Sequence, residues 1–114
     1  MTINEAIARA DALRANTANN EQKAEWVSDL DGQLAGMMNL PMPENKWPEE
    51  DRELLMPAPY SEIYVLYLVS KIDYFNQEYM LYANDREAYD KALGEALGWW
   101  RRNHRPVFAG GWRV

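Results

Sequence analysis

The stretch YSEIYVLYLVSKIDYFNQEYMLY, residues 60–82, contains neither glycine nor proline. With no breaker inside it, the spacing predicts one helix from Tyr60 or Ser61 to Tyr82, about six turns long, with Ser61 at its start. Its first half, Ile63 to Val69, is apolar on every side. Such a helix either lies at the centre of a core or is covered by a neighbouring subunit. Tyr60, Tyr64, Tyr67 and Tyr74 share one stripe, with Lys71 and Glu78 in the intermediate turns. Without a basic frame, such a stripe lines a core edge or a protein interface more readily than it stacks nucleic-acid bases.

Downstream, Asn84 followed three residues later by Glu87 restarts a helix. Ala88, Tyr89, Ala92, Leu93, Ala96, Leu97 and Trp100 form its face, and it should end near Asn103, ahead of Pro106. Arg101, Arg102 and Arg105 meet the negative end of that helix dipole, yet they are more than capping needs. An extended tail, Val107 to Val114, follows with Phe108 and Trp112 as aromatic anchors, Gly110-Gly111 as a hinge and Arg113 as a charge. Aromatic tails gain order by burying their rings against a partner, so the tail is expected to dock on another subunit or on a different partner protein.

Upstream, residues 39–59 hold five of the six prolines and the acidic cluster Glu49, Glu50, Asp51 and Glu53. This reads as a long, semi-rigid loop, with a short extended segment at Glu53–Pro57. Before it, Trp26, Val27, Leu30, Leu34 and Met37 or Met38 form the stripe of a second helix, bracketed by Gly36 and Pro41. Thr2 and Glu5 match a capping box, and Ile3, Ala6, Ile7, Ala10 and Leu13 recur at helical spacing, so a first helix runs from about Ile3 to Ala15. The two short helices should pack as an antiparallel hairpin. The fold class is therefore all-α: a short N-terminal helical hairpin, a proline-rich loop and a long C-terminal helical hairpin with an extended tail. Residues 1–106 form one helical domain and 107–114 the tail.

The chain has 114 residues, a size that favours one core over two. Hydrophobic residues make up 47% and charged residues 26%, a globular balance that excludes a disordered chain. There is no cysteine, which excludes disulfides and thiolate metal sites. The longest apolar run is far short of the roughly 20 residues that span a bilayer, and Glu5 and Asp11 interrupt any signal-peptide pattern, so no membrane association is expected. Charge is unevenly spread: residues 1–60 carry five basic against eleven acidic residues, 61–100 three against seven, and 101–114 four basic and none acidic. An acidic body is repelled by phosphate backbones, which argues against a general nucleic-acid binder.

Catalytic groups are hard to find. The single histidine, His104, sits among Arg101, Arg102 and Arg105, which disfavour both its protonation and a metal ion, so it reads as a solvated helix-end residue. Ser28, Ser61 and Ser70 have no activating base at a suitable spacing. Asp29 and Asp31 point in different directions on the second helix and read as solvated. The acidic cluster lacks the alternating ligands and the glycine of a calcium loop. No catalytic residue, metal or cofactor is assigned, and the chain is read as no enzyme.

Four segments, Trp26–Gly32, Glu53–Tyr60, Tyr64–Leu68 and Ile72–Tyr79, together with the ending Asn103–Pro106, resemble small proteins encoded among the head genes of tailed phages and prophages, especially those of Gram-positive bacteria. The resemblance covers most of residues 20–106, and the proline–tyrosine junction before the long helix is its most specific part. It implies a structural head–tail connector, or adaptor, that assembles as a ring, commonly of about twelve subunits, beneath the portal protein and continues the DNA channel. Its implied partners are further copies of itself, the portal protein and a downstream tail-completion protein, with DNA passing unread. It would reside at the virion's head–tail junction, and in the host cytoplasm during assembly. The expected interface comprises Tyr60, Tyr64, Tyr67, Tyr74, Arg101, Arg102, Arg105, Phe108, Trp112 and Arg113. The alternative is a small regulatory or inhibitory protein that binds a single host or phage partner.

Overall fold

The computed structural model describes residues 1–104. Four helices follow one another: α1 (Ile3–Leu13), α2 (Asn20–Met37), α3 (Glu62–Phe75) and α4 (Tyr79–Asn103). Among the described residues there is no strand, only an isolated bridge between Thr2 and Glu53. The all-α class and the order of short hairpin, loop and long hairpin are as the sequence implies.

Helix α1 starts as expected. Thr2 accepts from the Glu5 amide at 3.2 Å while Glu5 accepts from the Thr2 amide at 2.9 Å, closing a reciprocal capping box. A cap of this kind contributes about 1 kcal/mol. Helix α2 begins at Asn20, a turn and a half before its apolar stripe, because Asn19 accepts from the Gln22 amide at 2.7 Å. The polar first turns are held by Lys23, which is buried and bonded to Asp11 and Asn16.

The largest departure concerns the long helix expected over 60–82. It is broken into α3 and α4 by Asn76-Gln77-Glu78, so Tyr79 to Tyr82 belong to the next helix, and Asn84 and Glu87 lie inside α4 instead of opening it. Gln77 adopts φ 60°, the left-handed region. Around it the Glu78 amide donates to the Asp73 carbonyl at 2.9 Å and the Gln77 amide to the Tyr74 carbonyl at 3.0 Å. This pair of bonds is a Schellman closure, which ends a helix by satisfying its last carbonyls. Asn76 adds a side-chain bond to the Ala15 carbonyl at 2.9 Å, tying the corner to the end of α1. Helix α2 ends in the same way, with Asn39 at φ 55° and the Leu40 amide on the Ala35 carbonyl at 2.8 Å.

Helix α3 is the centre of the molecule. Ile63, Tyr64, Val65, Leu68 and Ile72 are all at most 1% exposed, covered by the other helices and by Leu54 and Met56 of the loop. The chain therefore covers its own over-apolar helix, and of the two expectations for Ile63–Val69 the central core helix holds. Cross-contacts fix the directions: Arg9 meets Glu62 and Arg14 meets Asp73, so α1 runs alongside α3, while Asp11–Lys23, Trp26–Phe75 and Tyr60–Trp99 turn α2 and α4 the other way. The bundle thus has two distinct ends. One gathers the end of α1, the start of α2 and the α3–α4 corner; the other gathers the start of α1 with loop residues Trp47 to Glu53, the start of α3 and the end of α4, while Met42 to Asn45 run back over the middle of α2.

Candidate interaction surface

The loop is tied down from within. Asp31, expected in solvent, is fully buried and is the loop's main anchor. It accepts from the Tyr64 hydroxyl at 2.6 Å, from Arg52 at 2.6 Å and from the Leu55 amide at 3.2 Å. The Tyr64 oxygen in turn accepts from the Met56 amide at 2.8 Å. Burial, reinforced by the Asp31 charge, pushes the Tyr64 hydroxyl far above its ordinary pKa, so it stays a donor at any working pH. At the outer edge Asp51 accepts from the Asn4 amide, Trp47 donates to Asn4 and Glu53 holds the Met1 amino group.

A second buried carboxylate sits at the other end. Asp73, with no exposed side-chain surface, accepts from Arg14 Nε at 2.7 Å, and the same guanidinium reaches Asp85 at 2.5 Å. Oδ2 of Asp73 has no donor. Burial, then the neighbouring Asp85, raise the Asp73 carboxyl to about 6 against the pull of Arg14. Asp85 is held below the usual range: its own burial opposes this, but the bond from Asp73 and the Arg14 charge outweigh it. The arrangement clamps the ends of α1 and α3 to the first turns of α4.

The tyrosine stripe does not form one surface. Tyr64 is fully buried and Tyr67 is 8% exposed, so both belong to this chain's own core and neither offers an interface. Tyr60 is half-buried and stacks on Trp99 with ring centroids 5.0 Å apart. Only Tyr74 is open, 59% exposed, with its ring against Tyr79 and Tyr82. Arg101 and Arg102 are exposed in the last turn of α4. His104, also exposed, stacks flat on Trp100, with its Nδ1 3.0 Å from the Trp100 carbonyl. Arg105, Phe108, Trp112 and Arg113, and with them the tail, lie outside the described residues.

Most of the exposed large apolar side chains among the described residues gather at the corner. Six of the eight exposed large apolar side chains found among the described residues, Leu13, Tyr74, Phe75, Tyr79, Met80 and Leu81, lie at this end of the bundle. Beside them runs a groove of about 410 Å³ lined by Trp26, Lys71, Tyr74, Phe75, Tyr82 and Arg86. Lys71 Nζ lies 5.7 Å from the Trp26 ring and 5.9 Å from Tyr67; the Arg86 guanidinium lies 5.8 Å from Tyr67 and 5.1 Å from Tyr89. These cation–π contacts hold both charges against aromatic faces at the groove wall. Sequence reading missed this surface because an unbroken helix would have spread its residues along a rod.

Among the described residues the two buried carboxylates, Asp31 and Asp73, are each bonded to groups that hold helices or loop in place. Among the described residues no set of three histidine, cysteine or acidic side chains is placed to hold a metal ion, and no helix is long and apolar enough to cross a membrane. The chain matches no protein-family model, no curated protein and no solved structure.

Proposed function

We propose that the chain is a structural assembly protein of the phage head–tail connector kind, one of several copies that form a ring beneath a portal and extend its DNA channel. The observation that carries the self-assembly is the corner. It keeps Met80 84% exposed and Tyr74, Phe75 and Tyr79 about half exposed, on a chain whose core is otherwise closed. Clustered apolar surface of this kind marks protein–protein contact. The resemblance of residues 26–32, 53–60, 64–68 and 72–79 to the connector group supplies the identity of the assembly. The acidic body is consistent with a channel wall, since a basic one would hold DNA and slow its passage.

The test is sedimentation of the purified chain over a wide concentration range, alone and with a portal ring, followed by electron microscopy of the mixture. The expected result is a monomer or weak associate alone and a ring on the portal. A tight complex with one other protein, with no ring under either condition, would establish the regulatory alternative instead.

A further inference from the structure

The groove lies at the corner, whereas the acidic part of the proline-rich loop, Glu49 to Glu53, is tied to the start of α1 at the opposite end, and the two are opposite in charge. From these two placements we infer that the loop of one copy docks into the Trp26–Arg86 groove of the next, a head-to-tail contact between identical chains. The inference rests on the ring reading and specifies the surfaces that would build it.

The groove asks for an apolar group accompanied by acid. Its floor is aromatic, and its two charged linings, Lys71 and Arg86, are both cations. Lys71 makes no ion pair among the described residues, and Arg86 has only the exposed Asp90 at 3.5 Å. The loop offers that combination. Met42, whose side chain lies over Gly32 at the middle of α2, is 70% exposed, and Glu44, Glu49 and Glu50 are exposed, with only Lys46 within 4 Å of two of them. Asp51, Arg52 and Glu53 are spent on holding the loop to the body, which keeps the outward part presented on a fixed frame.

The acidic part of the chain's own loop is held away from its own groove by its bonds to Asn4 and Met1. The loop is also pinned at Leu40 by the end of α2 and at Leu54 to Met56 by Met1 and Tyr64. The groove lies at the far end of α3, a helix of 14 residues and so about 20 Å long. A second copy brings the same loop from outside. Because the two surfaces differ, the contact is heterologous, and its repetition gives a ring when the rotation closes. The basic segment that follows α4 is the wrong sign for a groove already holding two cations.

The experiment uses the full chain with two charge-reversed variants, K71E/R86E in the groove and E49K/E50K in the loop, each checked for native helical circular dichroism. Self-association, read by sedimentation or by incorporation into rings on a portal, is expected to weaken about tenfold or more in either variant alone. Mixing the two variants should restore it, because the reversed groove then meets the reversed loop. The loop variant alters only exposed side chains, so loss of association there cannot be loss of the core. If neither reversal changes association, or mixing fails to restore it, the loop–groove contact is wrong even where rings still form. Loss of association on removing residues 105–114, with both reversals silent, would make that segment the occupant instead. If no association occurs with or without a portal, the ring reading itself fails.

Discussion

Replacing Asp31 by alanine will destabilise the protein by about 3–5 kcal/mol, the range for stripping one partner from a buried ionic network. Three donors lose their acceptor together: the Tyr64 hydroxyl, Arg52 and the Leu55 amide. Of these, Tyr64 has no route to water, being fully buried. A domain of this size commonly has only about 5–15 kcal/mol to lose, so the variant should forfeit a large fraction of its stability. Urea denaturation followed by circular dichroism reads the loss directly. Tyr64→Phe should cost less, about 1–3 kcal/mol, because only the Met56 amide is orphaned while Asp31 keeps two donors. The two changes combined should cost clearly less than their sum, since both break the same bond. Additive losses would mean that the Tyr64–Asp31 bond contributes nothing of its own.

Arg14→Met should cost a similar amount above pH 6, about 3–5 kcal/mol, and progressively less in acid. The arginine is the cation that lies between Asp73 and Asp85, and methionine keeps most of its apolar stem. In the native chain the raised Asp73 pKa means that the folded state holds a proton the unfolded state releases. That contribution is full below the ordinary aspartate range, near pH 4, and is lost as pH rises through about 6. Asp85 works in the opposite sense: its lowered pKa stabilises above the ordinary range and the benefit disappears as pH falls. Without Arg14 both carboxyls hold protons to higher pH, and once both ionise they repel at close quarters. The deficit of the variant should therefore be largest above pH 6 and shrink as the solution is acidified towards pH 4. Paired urea titrations across that interval would show it, and a deficit independent of pH would remove Asp73 and Asp85 as its cause.

The parts of the fold that were legible in the sequence are those encoded by neighbouring residues. Thr2 with Glu5 announced the start of α1, and the prolines between 41 and 59 announced the loop. The apolar belt Ile63–Val69 announced the central helix. What was not legible depends on groups brought together by the fold. Asp31 looked solvated when compared with Asp29, but it falls four residues after Val27 and three before Leu34, inside the buried stripe of α2. Only the return of Arg52 and Leu55 from the loop makes a carboxylate tolerable there. The break at Gln77 was hidden because no glycine or proline marks it. The cost of the left-handed conformation is met by the Schellman bonds, by Asn76 on Ala15 and by the Asp73–Arg14–Asp85 clamp, none of which a local pattern contains. Missing the break dispersed the corner residues, and the cluster of exposed apolar side chains went unseen with them.

That left-handed glutamine also reverses the usual rules of substitution at one point in the chain. Elsewhere in α3 and α4 glycine is the worst ordinary replacement, costing about 1 kcal/mol relative to alanine. At Gln77 the ranking turns over, because the position requires φ 60° and every Cβ there carries a steric cost. In a saturation library scored for folded protein, glycine should outperform the native residue and asparagine should follow. Valine, isoleucine and threonine, neutral on most helix surfaces, should be purged. Asn39, the other left-handed position, already carries the second-best residue and has correspondingly less to gain. A mutational spectrum with that inversion at residue 77, flanked by ordinary helical preferences, would be the genetic trace of a helix pair that must turn a corner without a glycine.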